Sequence, residues 1–540
     1  MQNRLHAREP RGDLTPGLIA TDPDTVAAVL EDAAHFPGGA ATGVATPRSE
    51  ADVAAVLRAG HAVLPIGAQS SLTGGATPQG GLVLRTDRMN QVLRVDTDRV
   101  RVQCGVSLNE LEAILTPLKL AYPPTPTFLG AFVGGIVATN AAGPATFKYG
   151  TTREWVDALT VVLADGSVLD LERGVARAEA GRLEIVGRDG RTTVLEVPSY
   201  HVPEVPKHSA GYAAAPDLDA IDLFIGSEGT LGIVTEVTLR VSADPPARCL
   251  ALVPCRSESS ALELVSELRA SAMTTWRSGD SNGIDVSAVE QMDRRSVELL
   301  REDGADVRFG TPLPEWTDTV LLVHLDLDSD TTPEAAYAQV ANVSDAAADG
   351  PLVRFCRLLE RENVLDSTHV AVPGDRSRAD QLCGLREAVP AAVNRRVGIA
   401  QASVDRRITK TAADMIVPFA RFPEMLRRYR SRLDARGLDY AIWGHSSDGN
   451  VHPNVIPRTY GDIEAGREAI LEWGLDVAEL GGCPLAEHGV GRNAVKQTLL
   501  RQLYGDEGIE QMRRVKRALD PGGKLAPGVI FPEIGKLGSG

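Results

Sequence analysis

The chain has 540 residues, 43% of them hydrophobic and 24% charged, with a formal net charge of −16 at neutral pH. That length exceeds one ordinary core, so two or more domains are expected, and the negative balance argues against a nucleic-acid partner and against simple adhesion to anionic lipid. No apolar run reaches membrane-spanning length and residues 1–12 lack the apolar stretch of a secretory signal, which reads as a cytoplasmic protein whose membrane association would be peripheral at most.

In chain order, residues 50–60 (EADVAAVLRAG) show helical periodicity, followed by a short apolar strand, HAVLPI (61–66). A loop of small residues, G-A-Q-S-S-L-T-G-G (67–75), leads into the strand GLVLR (81–85). Consecutive backbone N–H groups in such a loop can form an anion nest, although the loop is neither a Walker A motif nor G-x-G-x-x-G. Taken alone, such a stretch is more often a plain surface loop. Strands at 99–103 and 158–163, the latter closed by Asp165-Gly166, make residues 40–242 an α+β region. Asp244-Pro245-Pro246 marks a boundary.

Beyond it come a strand (CLALVPC), a helix (260–272), a strand (TVLLVHLDL) and a helix (333–347). A long helix holding Arg386, a strand near MIVP, a helix (420–436), a hairpin within 440–456 and helices at 462–480 and 494–519 complete the pattern. It predicts a second domain, an antiparallel sheet with helices on one face. The six cysteines (104, 249, 255, 356, 383, 483) are scattered without C-x-x-C, which speaks against a disulfide framework and a fused ferredoxin-type domain. Electrons leaving the protein would then need another carrier. Lys536–Gly540 reads as an expression scar or a loose tail.

Three of the ten histidines fall in G-H-S-S-D-G-N-V-H-P-N (444–454) and E-H-G-V-G (487–491). On a helix His445 and His452 would lie two turns apart, roughly 10 Å, too far to share a metal. Asp448-Gly449 is a strong two-residue hairpin signal, and with those two as the turn His445 sits directly opposite His452. Cross-strand Cβ atoms are about 5 Å apart, a gap that imidazole–metal bonds of about 2.1 Å can close. Glu487 could add a third ligand and leave a position open for substrate. Equally, histidines beside a Gly-Asp turn are often ordinary polar loop residues.

P-I-G-A-Q-S-S-L-T-G-G (65–75), V-G-G-I-V-A-T-N-A-A-G (133–143), K-Y-G-T-T (148–152) and G-S-E-G-T-L-G-I-V-T-E-V (226–237) follow one another in this order. Together they resemble the FAD-binding domain of the vanillyl-alcohol oxidase/p-cresol methylhydroxylase flavoproteins. R-E-A-V-P (386–390), the 444–454 segment, E-H-G-V-G and L-D-P-G-G-K-L-A-P-G (519–528) resemble that superfamily's FAD-linked oxidase C-terminal domain. The nearest kin by motif are D-2-hydroxyacid dehydrogenases acting on D-lactate, glycolate or D-2-hydroxyglutarate, and the resemblance spans roughly 40–532. It implies an α+β fold: a two-lobed FAD-binding domain of the p-cresol methylhydroxylase type plus an α+β cap with an antiparallel sheet. The expected domains are an N-terminal extension (1–40), the FAD-binding domain (41–243), a substrate or cap domain (244–480), and a segment (481–535) returning to the FAD domain.

The resemblance assigns noncovalent FAD to Gly67, Ala68, Gln69, Ser70, Ser71, Pro124, Thr125, Gly134, Gly135, Thr139, Asn140, Gly143, Tyr149, Gly150, Glu228, Gly229 and Ile233. The family loop is usually G-G-G-T or G-G-N-T, and here it reads G-A-Q-S. A divalent metal, zinc or manganese, is assigned to His445, His452 and Glu487, the general base to His488, the substrate carboxylate to Arg386, and a further substrate contact to Asn454. Pro390 stands where D-2-hydroxyglutarate enzymes carry threonine, and Lys410 falls two residues upstream of their lysine, which leaves Arg395, Arg396 and Lys410 as candidate anchors for a second carboxylate. The implied partners are a small 2-hydroxy acid, an electron acceptor (quinone, cytochrome, electron-transfer flavoprotein or oxygen) and a second copy in a homodimer. Non-redox chemistry like that of alkylglycerone-phosphate synthase is the alternative within the fold, although that family's consecutive histidine run is missing from this sequence. An oxidase passing electrons from another alcohol to oxygen is a further alternative. Two histidines and a carboxylate also suit a nonheme iron oxygenase, which the FAD motifs disfavour.

Overall fold

The structure is a computed structural model that describes residues 3–532, so the tail at 536–540 lies outside it. The chain divides into two compact units: one holds the residues up to Gly143, Gly150–Ala243 and the chain from Cys483 onward, the other Pro144–Tyr149 and Asp244–Gly482.

The first unit has two lobes. In one, Gly43–Ala45, Leu82–Arg85 and Val63–Ile66 run parallel in a four-stranded sheet with Ile19–Ala20 on its edge. The helix Glu50–Arg58 makes the crossover from Gly43–Ala45 to Val63–Ile66, the parallel strands on either side of Leu82–Arg85; it is capped by the Ser49 hydroxyl and buried along Val53, Val56 and Leu57. The other lobe is a five-stranded antiparallel sheet in the order Val168–Glu172, Val156–Val162, Ile233–Arg240, Arg99–Gln103, Val92–Val95. Burial alternates along Ile233–Arg240, as a sheet with one solvated face requires. The N-terminal residues run along the 67–75 loop, with the Ala33 and Ala34 N–H groups donating to the carbonyls of Gln69 and Ser71 at 2.9 and 3.1 Å. The predicted 494–519 helix spans Ala494–Leu519 but breaks at Gly505, whose φ is +67°.

The second unit is built on a seven-stranded sheet in the order His369–Ala371, Ala247–Cys255, Thr319–Leu327, Val286–Met292, Tyr440–His445, Asn450–Val455, Met415–Ile416, every adjacent pair antiparallel. The sequence predicts helices on one face only. The structure corrects this: Glu258–Ser278 and Pro351–Arg361 cover one face, Arg294–Glu302 and Arg376–Ser403 the other. The reason is in the strands. Ala247–Cys255, Val286–Met292 and Thr319–Leu327 are buried almost throughout, and a sheet buried on both sides needs cover on both. Arg376–Ser403 carries Pro390 in its interior, which removes the N–H that would otherwise bond the Arg386 carbonyl.

The hairpin register also differs from the expected one. His445 pairs with Asn450, and Trp443 pairs with His452. The turn is a 3₁₀ segment, Ser446–Asp448, closed by Gly449 at φ +81°, so the loop is four residues long rather than two. That moves the pairing by two positions, and a two-residue slip keeps every side chain on its face. His445 and His452 are therefore diagonal neighbours on one face, with ring centroids 5.7 Å apart.

Candidate functional site

In the first unit the 67–75 loop, the helix Val133–Thr139, the 226–233 turn and Glu487-His488 enclose a cavity of about 330 Å³. Of the residues assigned to the flavin, Gly67, Ala68, Gln69, Ser70, Ser71, Gly134, Gly135, Thr139, Glu228, Gly229 and Ile233 line it. Phe128 and Phe132, not singled out from the sequence, line it too. At Gly135 a Cβ would meet nothing within 4 Å, so bare backbone faces open space, whereas at Gly134 a Cβ would come within 2.7 Å of the Cys104 Cβ. A cavity walled by small residues, with exposed backbone and aromatic side chains, suits a flat dinucleotide cofactor.

Gln69 occupies the left-handed region at φ +52°. Its amide turns away from the cavity and donates to the carbonyls of Val29, Glu31 and Ala76 at 3.0, 3.2 and 3.0 Å, which explains how a bulky residue fits the loop.

Pro124, Thr125, Asn140, Gly143, Tyr149 and Gly150 stand outside the cavity lining. A Cβ at Gly143 would sit 2.0 Å from the Thr125 carbonyl oxygen, so these two pack backbone against backbone. Asn140, left-handed at φ +48°, accepts from the Arg153 N–H and donates to the His208 carbonyl. Tyr149 itself belongs to the second unit, where its hydroxyl donates to Asp326 at 2.7 Å.

The E-H-G-V-G segment is an irregular bend, so Glu487 and His488 reach the same cavity, which adjacent residues of a regular strand would not. Its backbone is held by contacts the sequence did not reveal. Glu228, itself at φ +51°, accepts the Val490 and Gly491 N–H groups at 2.7 and 2.9 Å, and the Ser209 hydroxyl accepts the Gly489 N–H. Burial pushes the Glu228 carboxyl up despite those N–H groups. Lys207 is 1% exposed, and its ammonium donates to Glu487 Oε2 at 3.0 Å.

In the second unit sheet parity assembles a polar row. His324, Glu290, His445, Asn450 and His452 fall on one sheet face by their pairings, and that face lies under the helix Arg376–Ser403. His452 Nδ1 is 3.6 Å from Asp414 Oδ1. Asn454 Nδ2 donates to the His452 carbonyl at 2.8 Å, and its Oδ1 is buried without a hydrogen-bond partner among the described residues. Arg386 comes down from the helix, and its Nε donates to Glu290 Oε2 at 2.6 Å. Burial alone would push the Glu290 carboxyl up, but Arg386, His445 and His324 outweigh it and hold it below its usual range. Burial holds His324 down at about 4. Of the candidate second-carboxylate anchors, Arg395 is paired with Asp303 and Arg396 with Glu302 and Asp303. Lys410 is exposed and makes no hydrogen bond or ion pair among the described residues.

The donor chemistry fits a divalent metal in the row: two buried imidazoles on one face, beside an acid and an amide. Glu290, Asp414 and Lys207 were missed by the sequence reading. Val286–Met292 is buried on every residue and shows no alternation to mark it as a strand, and Lys207 carries no local pattern at all.

A profile of the FAD linked oxidases, C-terminal domain, matches residues 245–530, and one of an FAD binding domain matches 41–172. A D-lactate dehydrogenase of Archaeoglobus fulgidus is 27% identical over 502 residues, covering 91% of each chain. A mitochondrial D-2-hydroxyglutarate dehydrogenase of Bos taurus is 28% identical, covering 96% of this chain and 82% of that one. A solved alkyldihydroxyacetonephosphate synthase covers 95% of this chain and 82% of its own at a TM-score of 0.56, but at 16% identity it speaks to the fold alone.

Proposed function

The chain belongs to the FAD-linked oxidase family, and from that membership we propose that it oxidises a D-2-hydroxy acid to the 2-oxo acid, with noncovalent FAD and a divalent metal as cofactors. The observation that carries this reading is His488 on the wall of the same cavity as the 67–75 loop, with its segment clamped by Glu228. The family relatives named for D-lactate and D-2-hydroxyglutarate support the substrate class.

FAD, when bound, supplies a hydride acceptor beside that wall. His445, His452 and Glu487 would hold the metal, zinc or manganese, which supplies Lewis acidity to the substrate hydroxyl. His488 takes the hydroxyl proton, a task suited to a neutral imidazole near pH 7. Arg386 holds the carboxylate with the N–H groups that Glu290 and Glu387 leave over, and the Asn454 amide orients the bound acid. Lys207 keeps Glu487 oriented. A separate acceptor removes the electrons, in keeping with cysteines that lack iron–sulfur spacing.

The test is spectroscopic. The purified protein should show a flavin spectrum that bleaches anaerobically with D-lactate, D-2-hydroxyglutarate or glycolate and no longer bleaches after EDTA treatment. Isolation without flavin overturns the proposal. Bleaching that survives complete metal removal leaves the redox reading standing and rejects the metal.

A further inference from the structure

We propose that Glu290 is a positioning residue that couples the carboxylate anchor Arg386 to the metal-ligating His445, an inference that rests on the function proposed above. Glu290 sits in the middle of the seven-stranded sheet, 5% exposed, on the face that also carries the apolar Met292, Leu322 and Trp443. A carboxylate there is costly unless paired. Replacing a buried ion pair by apolar residues is often neutral or stabilising, so stability alone gives little reason for the charge.

The geometry gives a different reason. Arg386 Nε and Nη2 both lie 2.6 Å from Glu290 Oε2, and Nη1 donates to Glu387. A guanidinium has five N–H groups, so two remain, one on each terminal nitrogen, enough to take a substrate carboxylate at the free end. Glu290 therefore fixes which edge of Arg386 is presented. The same Oε2 lies 3.7 Å from Nδ1 of His445, its direct cross-strand partner. A carboxylate facing Nδ1 orients the imidazole, and such partners tune the metal affinity of a ligating histidine strongly. Oε1 faces His324 Nε2, also at 3.7 Å, a buried nitrogen without a hydrogen-bond partner among the described residues. One oxygen thus sets the direction of both groups. Its removal should disturb anion binding and metal binding together, which the loss of a merely structural contact would not do.

Glu290→Gln tests this in the full-length flavoprotein with three readouts: zinc affinity by competition with a chromophoric chelator, KM and kcat for D-lactate, and the melting temperature. The expected result is a zinc affinity about 10–100-fold weaker and a KM about tenfold higher, with the flavin spectrum retained. Glu290→Asp keeps the charge and should recover part of both losses. Zinc affinity and KM both within about twofold of the parent overturn the proposal, as does a change in only one of them. Should Glu290→Gln fail to fold, Glu290→Asp carries the test by itself: the shorter acid sets its oxygen back from both partners, so zinc affinity and KM should both move from the parent values, and an unchanged value of either quantity is fatal. A parent protein that takes up no zinc while D-lactate still bleaches its flavin removes the metal from the function proposal, and this coupling with it. A parent that passes both tests leaves only the coupling at stake.

Discussion

The cavity of the first unit and the polar row of the second are made from different parts of the chain's chemistry. Gly67, Ala68, Gly135 and Gly229 shape the cavity by what they omit, since backbone and small side chains leave room for a large flat ligand. The row is made by what a sheet adds. Alternation across neighbouring strands places Glu290, His445, Asn450 and His452 on one buried face, and Arg386 descends onto it from a helix. The lesson is one of tolerance. A cradle of backbone is sensitive to added volume and indifferent to charge, and a buried row of titratable groups is the reverse.

The largest effect should come where the cavity wall carries chemistry. His488→Ala should lower kcat by about 10²–10⁴-fold while the flavin spectrum stays intact, and unchanged kinetics would remove the base from the cavity side. Next comes the response to pH. His324 has a folded pKa of about 4, below its ordinary 6.5. Between those values the unfolded chain binds a proton that the folded chain refuses, so stability is whole above pH 6.5 and falls as the pH drops toward 4, by about 3 kcal/mol in all. His208, in the first unit, is likewise held down at about 4. Denaturant titrations of His324→Gln should show a flatter acid dependence, with the part owed to His208 remaining. A slope identical to the parent's would show that the row does not hold His324 neutral.

The two neighbouring glycines sharpen the comparison within the cradle. Gly134→Ala pushes a methyl against Cys104 and should cost about 1–3 kcal/mol of stability. Gly135→Ala meets open space and should leave the melting temperature alone while weakening flavin retention on gel filtration. Reversed results would mean that the cavity wall faces the other way. The smallest effect is expected at Gln69→Ala, about 1 kcal/mol in a thermal melt, because the left-handed residue loses its three carbonyl contacts to residues 29–31 and 76.

Much of this was legible in the sequence because it is local. Strand periodicity placed Arg99–Gln103 and Thr319–Leu327, and the small-residue loop marked the cavity. Parity kept His445 and His452 on one face even though the turn adds two residues and shifts their register. The continuous apolar runs were legible too, but two-sided cover had to be inferred from them and was not. What only the tertiary structure decided is the set of partners: Glu228 holding the loop before Arg492, Lys207 on Glu487, Asp414 beside His452, and Glu290 between Arg386 and His445. These are single buried polar residues tens to hundreds of positions away from what they touch. Periodicity reports which face of an element is buried, and it carries nothing about which distant charge a buried carboxylate will meet. The chain's own pattern thus determined the class of cradle and the face of the histidines, and folding decided what orients them.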